Sequence, residues 1–249
     1  MRTELERFFA ALRFFTRLPV PAWVGHSQDQ LDRSTRYFPL IGWIVGGIGA
    51  GVTWLAALAL PVSLAVLLGM AATLLATGAF HEDGFADSCD GFGGGWLKED
   101  VLRIMKDSRI GSYGAIGMCV LLLVKWNALA ALGVLLVPAI IAGHALSRAA
   151  AASLIFTLDY VRDEGGKSKP LAVRMGRGEM LVACIFGLLP LVLLPWQQAM
   201  QGLIAVIVVA YLMARYTVRR IGGYTGDVLG ATQQLCEVAF YLGALCAFS

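Results

Sequence analysis

Charge is what this chain has least of. Only 15% of its 249 residues are Asp, Glu, Lys or Arg, against about 25% in a soluble domain. Hydrophobic residues make up 58% and mean hydropathy is +0.71. That excludes a soluble globule and implies an all-α, polytopic integral membrane helix bundle. Cysteine also has little pattern. Cys89, Cys119, Cys184, Cys236 and Cys246 show neither metal-type nor paired spacing, so no disulfide framework is expected. There is no Walker sequence, and no Ser-His-Asp arrangement is suggested. The net charge of +3 comes with dispersed arginines, so no nucleic acid partner is expected. Residues 1–17 mix acids and bases without an apolar core stretch, so no cleavable signal peptide is expected.

What is present is a series of long apolar runs. From Phe38 to Phe80 no residue is charged, enough for two spans of about 20 residues, with a turn at Leu60–Ser63. Further spans are expected from Ile110 to Leu132, Pro138 to Leu158, Met180 to Leu194, Ala199 to Val218 and Val228 to Phe248, about seven in all. The fifth is short, and the seventh contains Glu237. Nearly all Lys and Arg fall in segments 1–37, 81–109, 159–178 and 215–227, and the intervening hairpins carry no charge. With seven spans the basic segments share one side, which is then cytoplasmic. The reading is one membrane-embedded domain over 1–249, with 1–37 a cytoplasmic or interfacial segment and 81–109 a cytoplasmic acidic, glycine-rich active-site loop. Leu5, Phe8, Phe9, Leu12, Phe15 and Leu18 recur at three- to four-residue spacing before Pro19. They make an amphipathic N-terminal helix, either on the membrane surface or packed on the bundle as a cap. Trp23, Trp43, Trp96 and Trp126 read as interface or packing aromatics.

Against that apolar background, four acids crowd into nine residues: Glu82, Asp83, Asp87 and Asp90. Asp83, Asp87 and Asp90 sit at i, i+4 and i+7, within roughly 60° of one another on a helix. Three like charges on one stripe repel, and membrane-embedded carboxylates are costly unless paired or metal-bound. Nothing basic lies nearby in the sequence. Oxygen-only donors suit Mg²⁺ completed by substrate phosphate, so Asp83, Asp87, Asp90 and Glu82 are candidate metal ligands. The bland alternative is a solvated helical turn.

Gly91 and Gly93-Gly94-Gly95 follow. They make a phosphate-cradling loop or a plain helix C-cap. Lys106, Asp107, Ser108 and Arg109 then open the third span beside Gly111, Ser112, Tyr113 and Gly114. A helix N-terminus with cations is a natural oxyanion site, and Lys106, Ser108 and Arg109 are candidate substrate contacts together with Gly93, Gly94 and Gly95. The alternative is interfacial anchoring. In Gly222–Ala231, Asp227 joins the metal, holds a substrate hydroxyl or caps a helix. Asp107 and Asp227 are the candidate catalytic bases, because a metal-bound carboxylate is a poor one. His144 and Arg148 share a helix face, as a buried hydrogen-bonded pair or a substrate contact. Glu237 makes sense within a bilayer only if it faces a cavity.

These residues are similar to those of the cobalamin synthase family, the adenosylcobinamide-GDP ribazoletransferases. The resemblance runs over nearly the whole chain. It is carried by Arg13–Pro21, Arg36–Gly42, the block Phe80–Trp96, Met105–Gly114 and Gly223–Asp227. It implies a multi-pass, Mg²⁺-dependent enzyme of the cell inner membrane with its active site on the cytoplasmic face. It also implies the substrates, adenosylcobinamide-GDP and α-ribazole or its 5′-phosphate, and a late step of cobalamin biosynthesis that releases GMP. Membrane lipids would surround it, and a homo-oligomer is compatible with the sequence. Two other readings share the acids. A divalent-cation carrier would set them near the midplane on broken helices. A CDP-alcohol-type membrane phosphotransferase expects Arg where this chain has Asp87.

Overall fold

The computed structural model describes residues 2–25, 28–161 and 175–246, and these are helical almost throughout. In chain order the helices are α1 (Arg2–Phe15), α2 (Gln28–Ser34), α3 (Phe38–Ala57), α4 (Val62–Thr77), α5 (Phe80–Gly94), α6 (Lys98–Ile104), α7 (Ser112–Ala131), α8 (Leu136–Thr157), α9 (Arg177–Leu188), α10 (Trp196–Ile221) and α11 (Gly226–Leu245). The only β pairing among the described residues is an isolated bridge between Tyr160 and Tyr224.

Each of the seven apolar runs is helical, but not every run is a plain span. Four helices are long and apolar enough to cross a membrane: Gln30–Ala57, Ser112–Ala131, Gly133–Thr157 and Trp196–Ile221. The second run breaks. Gly78 (φ +67°) and Ala79 (φ +57°) both take the left-handed conformation, and α5 leaves α4 at 90°. Counting that bent pair as one span gives five. The short fifth run is a 12-residue α9 that tightens into a 3₁₀ turn, Leu189–Leu193, at Pro190. The seventh is a full helix, α11, that buries Thr232, Gln233, Gln234 and Glu237. About seven is therefore an approximate count. Residues 162–174 of the third basic segment and the last residues of the seventh run lie outside the described residues.

At the centre stands α8, 72% buried over its apolar window, whereas α7 is 28% and α10 only 17% buried. The outer faces of α7 and α10 are left to lipid. Between helices the hydrophobic effect supplies no drive in a bilayer, so close approach and polar contacts hold the bundle. A Cβ on Gly42 would stand 2.4 Å from the His144 carbonyl oxygen, which shows how tightly α3 seats on α8. Trp43 Nε1 donates to the Phe186 carbonyl (2.8 Å) and Trp126 Nε1 to that of Ser63 (2.8 Å). Both act as packing aromatics.

The N-terminal helix is a cap on the bundle. Ala10, Ala11, Leu12 and Phe15 are buried. The Phe15 ring lies 4.4 Å from that of Phe38 and stacks on His81 at 5.4 Å. Glu4 accepts from Tyr37 Oη (2.7 Å) and from Arg36, which also pairs with Glu179 of α9 (2.7 Å).

Three helices meet in a buried polar core. Glu237 of α11, fully buried, takes Lys125 Nζ of α7 at 2.6 Å, Gln233 Nε2 at 2.7 Å and Tyr241 Oη at 3.0 Å. His144 Nδ1 of α8 lies 3.2 Å from Glu237 and 3.2 Å from Arg148 Nη1. Gln233 also donates to Ser147 Oγ (2.9 Å). Glu237 is thus explained without a cavity, by the Lys125 cation of α7 and the His144 imidazole of α8, and His144–Arg148 is the buried pair. Removing one member of a buried ion pair costs about 3–5 kcal/mol, whereas a well-packed apolar replacement of both is often neutral. Glu237→Leu should lower the thermal midpoint in detergent by several degrees. Lys125→Met added to it should restore most of the loss; no restoration would show that the pair is not what binds α7 to α11.

Candidate active site

The acidic helix α5 begins beside the 90° bend, with Glu82 and Asp83 in its first turn, where the helix dipole favours anions. Asp83 is exposed and Asp87 half-buried, one turn apart. Asp90, only 8% exposed, is engaged elsewhere. Its Oδ2 accepts from the Gly111 amide (2.7 Å) and its Oδ1 from the Gly114 amide (2.8 Å). The oxyanion site expected at the start of α7 is therefore filled by the chain's own carboxylate. Glu82 turns the other way, as its 100° offset requires. Its Oε1 accepts from Gln234 Nε2 of α11 (2.8 Å), and its Oε2 is buried without a hydrogen-bond partner.

Asp227 reaches the acidic helix through its backbone. A Cβ on Gly84 would stand 3.0 Å from the Asp227 Cα, so the start of α11 packs on the turn of α5 that lies between Asp83 and Asp87. The N-cap of α11 is Thr225, whose Oγ1 accepts from the Val228 amide (3.2 Å); Asp227 is in the first turn and is not the cap. Bonds from the Tyr224 amide to the Asp159 carbonyl and from the Val161 amide to the Tyr224 carbonyl, both 3.0 Å, fix this entry to the end of α8.

A cleft of about 500 Å³ opens at the far end of α5, lined by Asp90, Gly94, Arg103, Ile104, Asp107, Arg109, Ile110, Gly111, Ser112 and Tyr113. Of the expected substrate contacts, Arg109 and Gly94 line it; Lys106, Ser108, Gly93 and Gly95 do not. The glycine run is not a phosphate loop. Gly93 and Gly94 belong to α5, and Gly95 is its extended C-cap. A Cβ on Gly93 would meet the Tyr113 ring at 2.5 Å, and one on Gly95 the Val101 amide at 2.6 Å. These glycines admit α6 and Tyr113 to the surface of α5. Arg103 was missed by sequence reasoning; its signal was a position one turn before Asp107.

Arg109 grips Asp107 through Nε (3.1 Å) and Nη2 (2.7 Å), with its own amide added at 3.1 Å. Those bonds hold the Asp107 carboxyl down at about 2. Such a group is ionised throughout the working pH range and is a weak base, so the expectation that Asp107 shares the base role does not fit this geometry.

The acids can be tested for Mg²⁺ on the same terms. Among the described residues no three His, Cys, Asp or Glu gather as a closed metal site. Of the four expected ligands, Asp90 is hydrogen-bonded to amides of α7 and Glu82 to Gln234 of α11. Asp83 and Asp87 do fit an open site of one or two carboxylates that substrate phosphate completes.

The described geometry can be set beside known proteins. A model of the cobalamin-5-phosphate synthase family matches residues 7–245. An adenosylcobinamide-GDP ribazoletransferase of Ralstonia pickettii is 50% identical over 98% of this chain and 97% of its own. One from Shewanella frigidimarina is 49% identical over 96% and 94%. No solved structure matches the chain.

The cleft wall depends on the C-terminal end of α5, whose last carbonyls have no intrahelical partner. Arg220 of α10 supplies one: Nη2 donates to the carbonyls of Gly95 (2.6 Å) and Phe92 (3.2 Å), and the guanidinium lies 5.5 Å over the Phe92 ring. Arg220→Leu should cost about 1–3 kcal/mol, seen as a fall of several degrees in the thermal midpoint. A midpoint unchanged within one degree would show that this cap is idle.

Proposed function

The chain belongs to the cobalamin-5-phosphate synthase family, and on that premise we propose that it is a transferase of cobalamin biosynthesis that joins α-ribazole, or its 5′-phosphate, to adenosylcobinamide-GDP. A ribazole hydroxyl attacks the phosphorus that carries cobinamide. The new bond is oxygen to phosphorus, the diphosphate bridge breaks, and GMP leaves. The product is adenosylcobalamin or its 5′-phosphate. The observation that supports this reading most is the placement of the Asp83–Asp87 pair and of Asp227 at one end of the bundle, with an arginine-rimmed cleft along the same helix.

In this reading Asp83 and Asp87 hold Mg²⁺, which when bound offsets charge on the bridging phosphates. Arg109 and Arg103 attract the guanylate phosphates through their forked guanidinium groups. Asp227 accepts the proton of the attacking hydroxyl. It is half-buried in the first turn of α11, which packs on the turn of α5 between Asp83 and Asp87. Lys106, exposed beside the cleft, acts in the approach of the diphosphate. In the same reading the protein lies in the inner membrane with this end on the cytoplasmic face; the apolar helices and the one-sided basic segments support it.

The deciding experiment is release of GMP by purified protein in detergent, supplied with both substrates and Mg²⁺; no release would reject the transferase reading. Asp83→Asn and Asp87→Asn should each cut turnover by orders of magnitude, while the protein still inserts. Asp227→Asn should cut turnover and flatten the acid side of the kcat–pH profile. Asp107→Asn should leave that limb in place, because a carboxyl held at about 2 is already ionised above pH 4. If Asp107→Asn removes the limb, the two roles are exchanged. Reporter fusions after Gly95 and Arg220 should read cytoplasmic, and one after Ser249 periplasmic. A cytoplasmic C-terminus would mean that an even number of segments crosses.

A further inference from the structure

Asp90 closes the acidic stripe, yet its surroundings differ from those of Asp83 and Asp87. Both of its oxygens are taken by backbone amides of α7, in charge-assisted bonds of the stronger kind. Gly111, the N-cap of α7, has no side chain to accept from the first turn and makes no side-chain cap bond. Cβ atoms on Gly111 and Gly114 would stand 2.4 Å from Asp90 oxygens, so the two glycines make the room this carboxylate occupies. A Ser or Asp N-cap serves its own helix; here the acceptor comes from another helix, 21 and 24 residues upstream. Gly111, Ser112 and Tyr113, which follow from this anchorage, form one wall of the cleft. At 8% exposure Asp90 offers little approach to a hydrated cation, which dehydrates reluctantly.

We propose that Asp90 is a positioning residue: it clamps the N-terminus of α7 to α5 and so sets the cleft wall, and it does not ligate the metal. The consequence for the reaction rests on the reading of the cleft as the guanylate site. The clamp itself does not, and the test separates the two.

The full-length protein in detergent is compared with Asp90→Asn, Gly114→Ala and Asp87→Asn. Gly114→Ala keeps every acid but drives a methyl against Asp90, so it opens the clamp without removing a carboxylate. Three quantities are read: amide hydrogen exchange over 110–116, GMP affinity by calorimetry, and the Mg²⁺ concentration that half-saturates turnover. In Asp90→Asn and Gly114→Ala, exchange at Gly111 and Gly114 should rise and GMP affinity should fall about tenfold, the equivalent of 1.4 kcal/mol. The Mg²⁺ requirement should stay within about twofold of the parent, and only Asp87→Asn should move it further. A tenfold or larger rise in the Mg²⁺ requirement of Asp90→Asn, without one in Gly114→Ala, would overturn the proposal and return Asp90 to the metal. Unchanged exchange in both clamp variants would overturn it as well. If the parent protein binds no GMP, the guanylate reading of the cleft fails, and the exchange data alone decide the clamp.

Discussion

A carboxylate held in the dry middle of a helix bundle is the constraint on which the rest depends. Glu237 is fully buried on α11, where an unpaired charge costs several kcal/mol or more. The chain must bring partners to it, and it does so from two different helices, the Lys125 ammonium on α7 and the His144 imidazole, itself held by Arg148, on α8. Each partner thereby fixes a rotation and a depth, because a one-residue slip of either helix would swing its polar group by about 100°. Apolar packing against lipid offers no such register. The polar core therefore specifies the arrangement of α7, α8 and α11, and apolar contacts and close glycine approaches fill in around it.

The same core connects to the acidic helix. Gln234 lies next to Gln233 on α11, donates to its side-chain oxygen at 2.9 Å, and donates also to Glu82 (2.8 Å). Glu82 is thus turned inward while its neighbour Asp83 faces out. One helix carries both the bond that anchors it and the acids that it displays, so the orientation of the display follows from the anchor. The 90° bend at Gly78–Ala79 then directs α5 away from α4 and under α7. There Asp90 meets the Gly111 and Gly114 amides.

What could be read from the sequence is what repeats with local period. The apolar runs gave helices at the expected places. The i, i+4, i+7 spacing of Asp83, Asp87 and Asp90 did fall on one helix, α5. What could not be read is what depends on partners far along the chain. Spacing alone made Asp90 equivalent to Asp83 and Asp87; only the fold shows it facing backbone amides more than twenty residues on. The run Gly91–Gly95 has the composition of a loop, yet it is mostly helical because α6 and Tyr113 need the space that side chains would fill. The 90° bend is hidden for a similar reason. Gly78 marks a helix end, but a second left-handed residue at Ala79 is disfavoured locally and persists only because tertiary contacts, such as the Arg17 amide on the Ala76 carbonyl (2.7 Å), hold the turn.

The charge scarcity of the chain also gives the site its polarity. No Lys or Arg occurs from Phe38 to Leu97, so α5 presents its outward acids from a helix with no cation of its own. The first cations to follow it, on α6 and the turn before α7, gather at the other end of the same face, around the cleft. A diphosphate laid along α5 therefore meets two unlike environments about 10 Å apart, the rise of seven helical residues. At the cleft it meets guanidinium groups already paired with Asp107 and Asp100. Beside Asp83 and Asp87 it is repelled unless a divalent cation intervenes. On the proposed reading the released guanylate belongs at the arginines and the reacting phosphorus beside the acids, within reach of Asp227. The direction of the reaction along α5 would then follow from where this protein places its few charges.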